Sequence, residues 1–178
     1  MELEEAIERL RQEIQEKKSL LRQLEEELAQ SKKQQECRKR YISSKEIVDF
    51  VAMRSGKTIN MSTIKRWTDD GHLGDAIDER EHFWALKTKQ GKKRNLYLRS
   101  VVFPFLYERG YIEPLYDILD EVCYIPQNLR GVIMECDILE GEFVYKLQLP
   151  DLSSLEHIPE RLLSNGENNG CNRNQKHE

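Results

Sequence analysis

Between Phe83 and Arg99 the chain places Lys87, Lys89, Lys92, Lys93, Arg94 and Arg99 and not one Asp or Glu, although its formal net charge is −4. Clustered cations of this kind neutralise phosphates: each contact releases a condensed counterion, which supplies sequence-independent affinity for a nucleic-acid backbone. A second group precedes it. Ser62, Thr63, Lys65 and Arg66 surround Ile64 and Trp67, and small hydroxyls beside long cations can address base edges. Catalytic chemistry finds no comparable support. The chain contains no GxGxxG, Walker A, HExxH or GxSxG pattern, and the acid pairs Asp69-Asp70 and Asp78-Glu79 lack an accompanying nucleophile. The expectation is a protein that is not an enzyme and needs no cofactor. His72 and His82 flank an acidic segment with Asp75 and Asp78 but read as loop residues, and no metal site is expected. Cys37, Cys123, Cys136 and Cys171 form no CxxC pair and fit free thiols, with Cys123 and Cys136 as small core residues.

These groups need elements to hold them. Residues 1–40 balance acid and base, residues 41–99 carry a surplus of +4, and residues 100–178 a deficit of −8. The basic middle opens on Ser43 and Glu46, a capping box that predicts a helix burying Ile47, Val48 and Val51 and stopping near Gly56. Asn60 or Ser62 caps a second helix. Its buried stripe is Met61, Ile64 and Trp67, its outer face carries Ser62, Thr63, Lys65 and Arg66, and it ends at Gly71. HFWALKT and RNLYLR then read as two strands around KQGK, with Phe83, Ala85 and Lys87 on one face and Trp84, Leu86 and Thr88 on the other. Helix, turn, helix and hairpin make the outline of a winged helix-turn-helix.

The run TIKRWTDDGHL, Thr63 to Leu73, resembles the end of the recognition helix in MerR-type and excisionase-type winged helices. Thr63, Ile64, Lys65, Trp67, Gly71 and Leu73 match that pattern in order without a gap. RNLYLRSVV resembles the strand that leaves the wing in the same superfamily, so the resemblance covers about residues 41–105. It implies Ser62, Thr63, Lys65 and Arg66 at the major groove. It also implies wing residues Lys87, Lys89, Lys92, Lys93 and Arg94 along the backbone or minor groove of double-stranded DNA. MerR regulators carry their dimer helix after the winged domain, whereas here a helix precedes it.

That helix has Leu3, Ile7, Leu10, Ile14, Leu21, Leu24 and Leu28 at alternating steps of four and three, with Lys17 in the one polar slot. The pattern is a heptad seam, and Ile at the first two a positions favours a parallel homodimer in which Glu13 faces Lys18 of the partner subunit. A lone helix folded back on the body is the alternative. Past the basic stretch, Val102, Leu106 and Arg109 share a helix face, with Pro104 a first-turn residue if the helix starts near Phe103, and Leu115, Ile118, Leu119 and Val122 predict another amphipathic helix. GVIMECDILEGEFVYKLQL reads as two strands turning at Glu140-Gly141.

The expected fold class is α+β: an N-terminal coiled-coil helix, a winged helix-turn-helix domain and a small α+β C-terminal region. The corresponding segments are 1–40, 41–100, 101–163 and a disordered tail at 164–178. No apolar run approaches the ~20 residues of a membrane span, which fits a cytoplasmic protein associated with the nucleoid when bound to DNA. The function expected is a dimeric sequence-specific DNA-binding protein, a MerR-like transcriptional regulator. The alternatives are an excisionase-like or partition-type architectural protein and a coiled-coil adaptor without DNA binding. The acidic C-terminal region is the surface expected for a protein partner.

Overall fold

The N-terminal seam forms one helix, α1 (Glu2–Arg38), and not one of its residues is buried. The computed structural model describes residues 2–86 and 93–166 of a mixed α+β chain with several helices and two antiparallel sheets. At 1.5 Å per residue, the 37 residues of α1 span about 55 Å. Glu2, Glu4 and Glu5 at its start and Arg38 at its end complement the helix dipole. Ser31, Gln34 and Arg38 are the only half-buried positions, so the helix meets the rest of the chain only in its last turns and does not fold back along the body.

β1 (Tyr41–Ser43) leads into α2 (Ser44–Ser55) through the expected capping box. Ser43 Oγ accepts from Glu46 N at 3.3 Å, and Ser43 N donates to Glu46 Oε2 at 2.7 Å. Ile47 and Val51 are fully buried, Val48 is half-buried, and Gly56 closes the helix at φ 65°. α3 (Met61–Asp69) is capped by Asn60 and buries Ile64 and Trp67. Met61, expected in that stripe, is exposed: it is the first residue of the helix, directly after the Asn60 cap.

The hairpin expected next differs from the one observed. β3 (Asn95–Leu98) is present, but it pairs with β2 (Ile77–Asp78) and with β1, giving the antiparallel order β1-β3-β2. Phe83 to Leu86 is no strand: α4 (Glu79–His82) runs into a 3₁₀ turn, Trp84–Leu86. The physical reason is long-range. Glu79 is drawn into the interior to meet Arg38, and Phe83 is buried behind it with its ring 5.6 Å from that of Tyr41. Lys87 and Thr88, the end of the expected strand, lie outside the described residues, as does the whole of KQGK.

α5 (Arg99–Glu108) follows β3 directly and buries Val102, Phe103 and Leu106. Because it starts at Arg99, Pro104 sits in its second turn and not its first, where it removes one helical hydrogen bond. The helix expected over Leu115–Val122 is absent: Leu115, Ile118 and Leu119 are exposed and Val122 belongs to β4 (Glu121–Tyr124). Here the backbone pairs with a distant strand instead of with itself. Leu119 N donates to Ile133 O at 2.8 Å, and Ile133 N to Asp120 O at 3.0 Å.

β4 joins β5 (Leu129–Leu139), β6 (Glu142–Gln148), β7 (Ser154–Pro159) and β8 (Leu163–Asn165) in a second antiparallel sheet of order β7-β6-β5-β4-β8. β8 takes up Ser164 and Asn165 at the start of the segment expected to be disordered, and residues 167–178 lie outside the described residues. One hydrophobic cluster joins Ile47, Ile64, Trp67, Val102 and Leu106 to Val122, Ile133, Phe143, Tyr145 and Leu147 of the sheet. Cys123 is buried within this region and Cys136 packs half-buried against the cluster.

The expected β5–β6 turn at Glu140-Gly141 is present, with φ of 51° and 80°, the positive pair that a two-residue hairpin loop requires. Gly141 is pressed against the start of α5: a Cβ there would stand 2.3 Å from Arg99 Cβ and 2.7 Å from its carbonyl carbon. Gly141→Ala therefore combines a left-handed φ with overpacking against backbone and should cost about 2–4 kcal/mol of unfolding free energy in a urea titration. A cost below about 0.5 kcal/mol, the range of neutral surface changes, would show that the hairpin tip is not held against α5.

Candidate nucleic-acid interface

α3 exists as a two-faced helix because its cap and core are set by adjacent residues. Asn60 Oδ1 accepts three hydrogen bonds: from Thr63 N at 2.9 Å, Thr63 Oγ1 at 3.0 Å and Ser62 Oγ at 2.6 Å. The cap thus spends the hydroxyl protons of Ser62 and Thr63, leaving each oxygen as an acceptor. Such oxygens suit amino groups of cytosine or adenine better than carbonyl groups. On the opposite side, Trp67 packs edge-on against Phe105 at 5.2 Å and Tyr111 at 4.9 Å, and Thr68 Oγ1 lies 2.9 Å from Tyr97 OH. Lys65 and Arg66 point away from that packing. Both are exposed, and neither has an ion-pair partner among the described residues.

A groove of about 720 Å³ opens between the N-terminal ends of α2 and α3 and the start of β3. Its cationic lining includes Lys45, Lys93 and Arg94. Lys93 lies 3.5 Å from Asp78, and Arg94 lies 3.7 Å from Glu79; the cations are largely exposed, while Asp78 is half-buried and Glu79 buried. The Lys93 pair is solvent-screened and worth little, and Glu79 keeps Arg38 at 2.8 Å when Arg94 leaves, so each cation can turn to a phosphate. The Asp78 carboxyl is held below its ordinary pKa first by the backbone N–H of Arg80 and only secondarily by Lys93. Asp78 therefore keeps its charge without that cation. Of the basic residues expected on the projecting turn, Lys87, Lys89 and Lys92 lie outside the described residues.

The structure therefore brings Lys93 and Arg94 together at the groove, while Ser62, Thr63, Lys65 and Arg66 form a separate set on α3. Two residues not singled out from sequence join the first set: Ser44 and Lys45, the first two positions of α2. Their signal was present in SSKE, since residues just inside a capping box sit at the positive end of the helix dipole, where anions are favoured. Glu46 and Asp49 also line the groove. Burial alone would raise the Glu46 carboxyl, but hydrogen bonds from Ser43 and the charge of Arg38 outweigh it and lower its pKa.

Protein-family models, curated proteins and solved structures contain no match to this chain. The reading of the interface consequently stands on residue chemistry.

Arg38 ties α1 to this region. Its Nε donates to Glu79 Oε1 at 2.8 Å, its Nη2 to Glu46 Oε2 at 3.2 Å, and its Nη1 to Tyr41 O at 3.0 Å. Gln34 Oε1 accepts from Ala85 N at 2.9 Å. One turn of α1 is thus bound to the capping box of α2 and to the segment that follows β2. Farther up, Leu3, Ile7, Leu10, Ile14, Leu21, Leu24 and Leu28 are between 49% and 79% exposed. Among the described residues, nothing in their own chain buries these expected dimerisation residues. His72 stacks on Phe105 at 5.0 Å and His82 packs on Phe83, which gives both rings a packing role.

Among the described residues, no helix is long and apolar enough to cross a membrane.

Proposed function

We propose that this chain is a dimeric, cytoplasmic, sequence-specific DNA-binding protein without catalytic activity, acting as a transcriptional regulator through a winged helix-turn-helix unit. The observation that carries the reading is the outer face of α3: Lys65 and Arg66 stand exposed, with no ion-pair partner among the described residues, opposite a face buried through Ile64 and Trp67. The order β1, α2, α3, β2, β3 with the sheet β1-β3-β2 supports it, since a winged unit needs a recognition helix backed by a small antiparallel sheet. Lys65 and Arg66 would read bases from α3, while Lys93, Arg94 and the first turn of α2 would hold phosphates. Twin copies joined along α1 would present two reading helices to a roughly symmetric site.

The test is recovery of bound genomic DNA followed by binding titrations on the recovered site. Lys65→Ala or Arg66→Ala should narrow the gap between specific and random DNA by about 1–3 kcal/mol, a loss of roughly five- to 150-fold in preference. Lys92→Ala, Lys93→Ala and Arg94→Ala together should weaken all sequences alike and flatten the salt dependence by about 2–3 units of slope. Failure to bind any duplex at low salt would remove the DNA reading in favour of a protein-binding adaptor. Cooperative spreading without site preference would favour an architectural role.

A further inference from the structure

A cleft of about 970 Å³ lies where α2 and α5 meet the β5–β6 hairpin, away from the face of α3 that carries Lys65 and Arg66. Its walls include the rings of Phe50, Phe103 and Phe143, and its charged lining contains Arg40, Arg54 and Arg99. The carboxylates there are largely committed. Glu36 is held by Lys39 at 2.7 Å, Glu142 by Arg161 at 2.6 Å, and Glu160 by Arg54 at 2.5 Å. Glu140, exposed on the hairpin turn, also lines the cleft.

Arg99 is the unusual member. Its guanidinium lies 5.7 Å from the Phe103 ring centre, and its Nε donates to Tyr41 O at 3.3 Å. No carboxylate lies within ion-pair distance of it among the described residues. Burial, helped by the nearby charge of Arg38, pushes its pKa down from the ordinary arginine value, against the opposing pull of the Glu46 and Glu142 charges. With Nε engaged, Nη1 and Nη2 remain as a two-pronged donor, the geometry that matches a carboxylate. A second group points the same way. The Arg54 side chain, 7% exposed, lines the cleft with its Nε buried and without a hydrogen-bond partner.

We propose that this cleft binds a small organic carboxylate with an aromatic or branched aliphatic body, the acid group on Arg99 and Arg40 and the body against Phe103 and Phe143. Its volume falls within the range of small-molecule sites, which are mostly apolar with a few placed polar groups. This site is independent of the DNA reading and is tested without DNA.

The probe is benzoate, titrated into the full-length protein by calorimetry at low salt, with benzamide, benzylamine and acetate as comparisons. Benzoate should saturate one site per chain. Benzamide should bind at least about tenfold more weakly, since it cannot form charge-assisted hydrogen bonds, and acetate should be weaker for want of a body. Benzylamine should not bind. Arg99→Gln should reduce benzoate affinity about tenfold or more, and Arg40→Gln, on the exposed rim, by a few-fold. Absence of benzoate saturation by about 10 mM would overturn the site, as would equal binding of benzamide or undiminished binding in the variants. Should Arg99→Gln fail to fold, the Arg40→Gln titration and the benzamide comparison decide the matter.

Discussion

Glu160→Ala is expected to lower the unfolding free energy by about 3–5 kcal/mol, which would be a large share of a marginal domain's stability. Glu160 sits just after β7 and Arg54 in the last turn of α2, and their side chains are 14% and 7% exposed. The carboxylate is the common acceptor of the junction between the helices and the second sheet. Its Oε2 meets Arg54 Nη2 at 2.5 Å, while its Oε1 accepts from Tyr145 OH at 2.7 Å and Leu115 N at 2.8 Å. Burial, and then the hydrogen bond to Glu160, push the Tyr145 phenol above its ordinary pKa, which keeps it a donor to the carboxylate at neutral pH. Removing the carboxylate would strand a guanidinium wedged between the rings of Phe50 and Phe143, together with a phenol and a backbone N–H. Each such group costs about 1–3 kcal/mol when left unsatisfied. Glu160→Gln separates charge from hydrogen bonding, since the amide oxygen can still serve Tyr145 and Leu115. Its expected cost is about half that of the alanine change. Urea unfolding of both variants checks this, and an alanine cost under about 1 kcal/mol would mean that the pair does not brace the junction.

That junction also marks the limit of what local pattern conveys. The capping box at Ser43 and Glu46, the Asn60 cap and the Glu140-Gly141 turn were legible because each is closed by residues within four positions. Arg54 and Glu160 are 106 residues apart, and Arg38 and Glu79 are 41 apart. No periodicity announces such partners. The alternation from Phe83 to Thr88 suggested a strand, but the pull of Arg38 on Glu79 turns residues 79–82 into a helical turn and leaves Phe83 as a buried plug. Leu115, Ile118 and Leu119 have helical spacing, yet Gly110 and Pro114 precede them and Ile133 captures the backbone. For the candidate site, the outer face of α3 was legible because a nine-residue helix with a buried Ile64 and Trp67 has only one other side. The groove at Ser44 and Lys45 was not. It arises from the start of β3 lying beside the first turn of α2, a tertiary placement.

The seam on α1 offers the other large effect. Leu10→Glu with Leu21→Glu should convert a dimer into a monomer while leaving the body as stable as before. Both side chains are more than half exposed and touch no other part of their own chain's core, so within one copy the change is a surface substitution worth less than about 0.5 kcal/mol. Between copies it is severe. A half-exposed leucine gains on the order of 1 kcal/mol when a neighbour covers it, so four lost side chains remove about 4 kcal/mol before the repulsion of four new carboxylates is counted. That corresponds to roughly a thousandfold in association. In the proposed dimer the covered length would end near Leu28, because Ser31, Gln34 and Arg38 turn toward the chain's own body. In the parallel arrangement this sets the two α3 helices at the same end of the coil. Affinity for DNA with two half-sites should then fall about 10²–10⁴-fold, while affinity for a single half-site stays unchanged. Sedimentation gives the mass and titration gives the affinities. A variant that remains dimeric would move the association to another surface. A monomer that keeps full affinity for the double site would show that each copy reads alone.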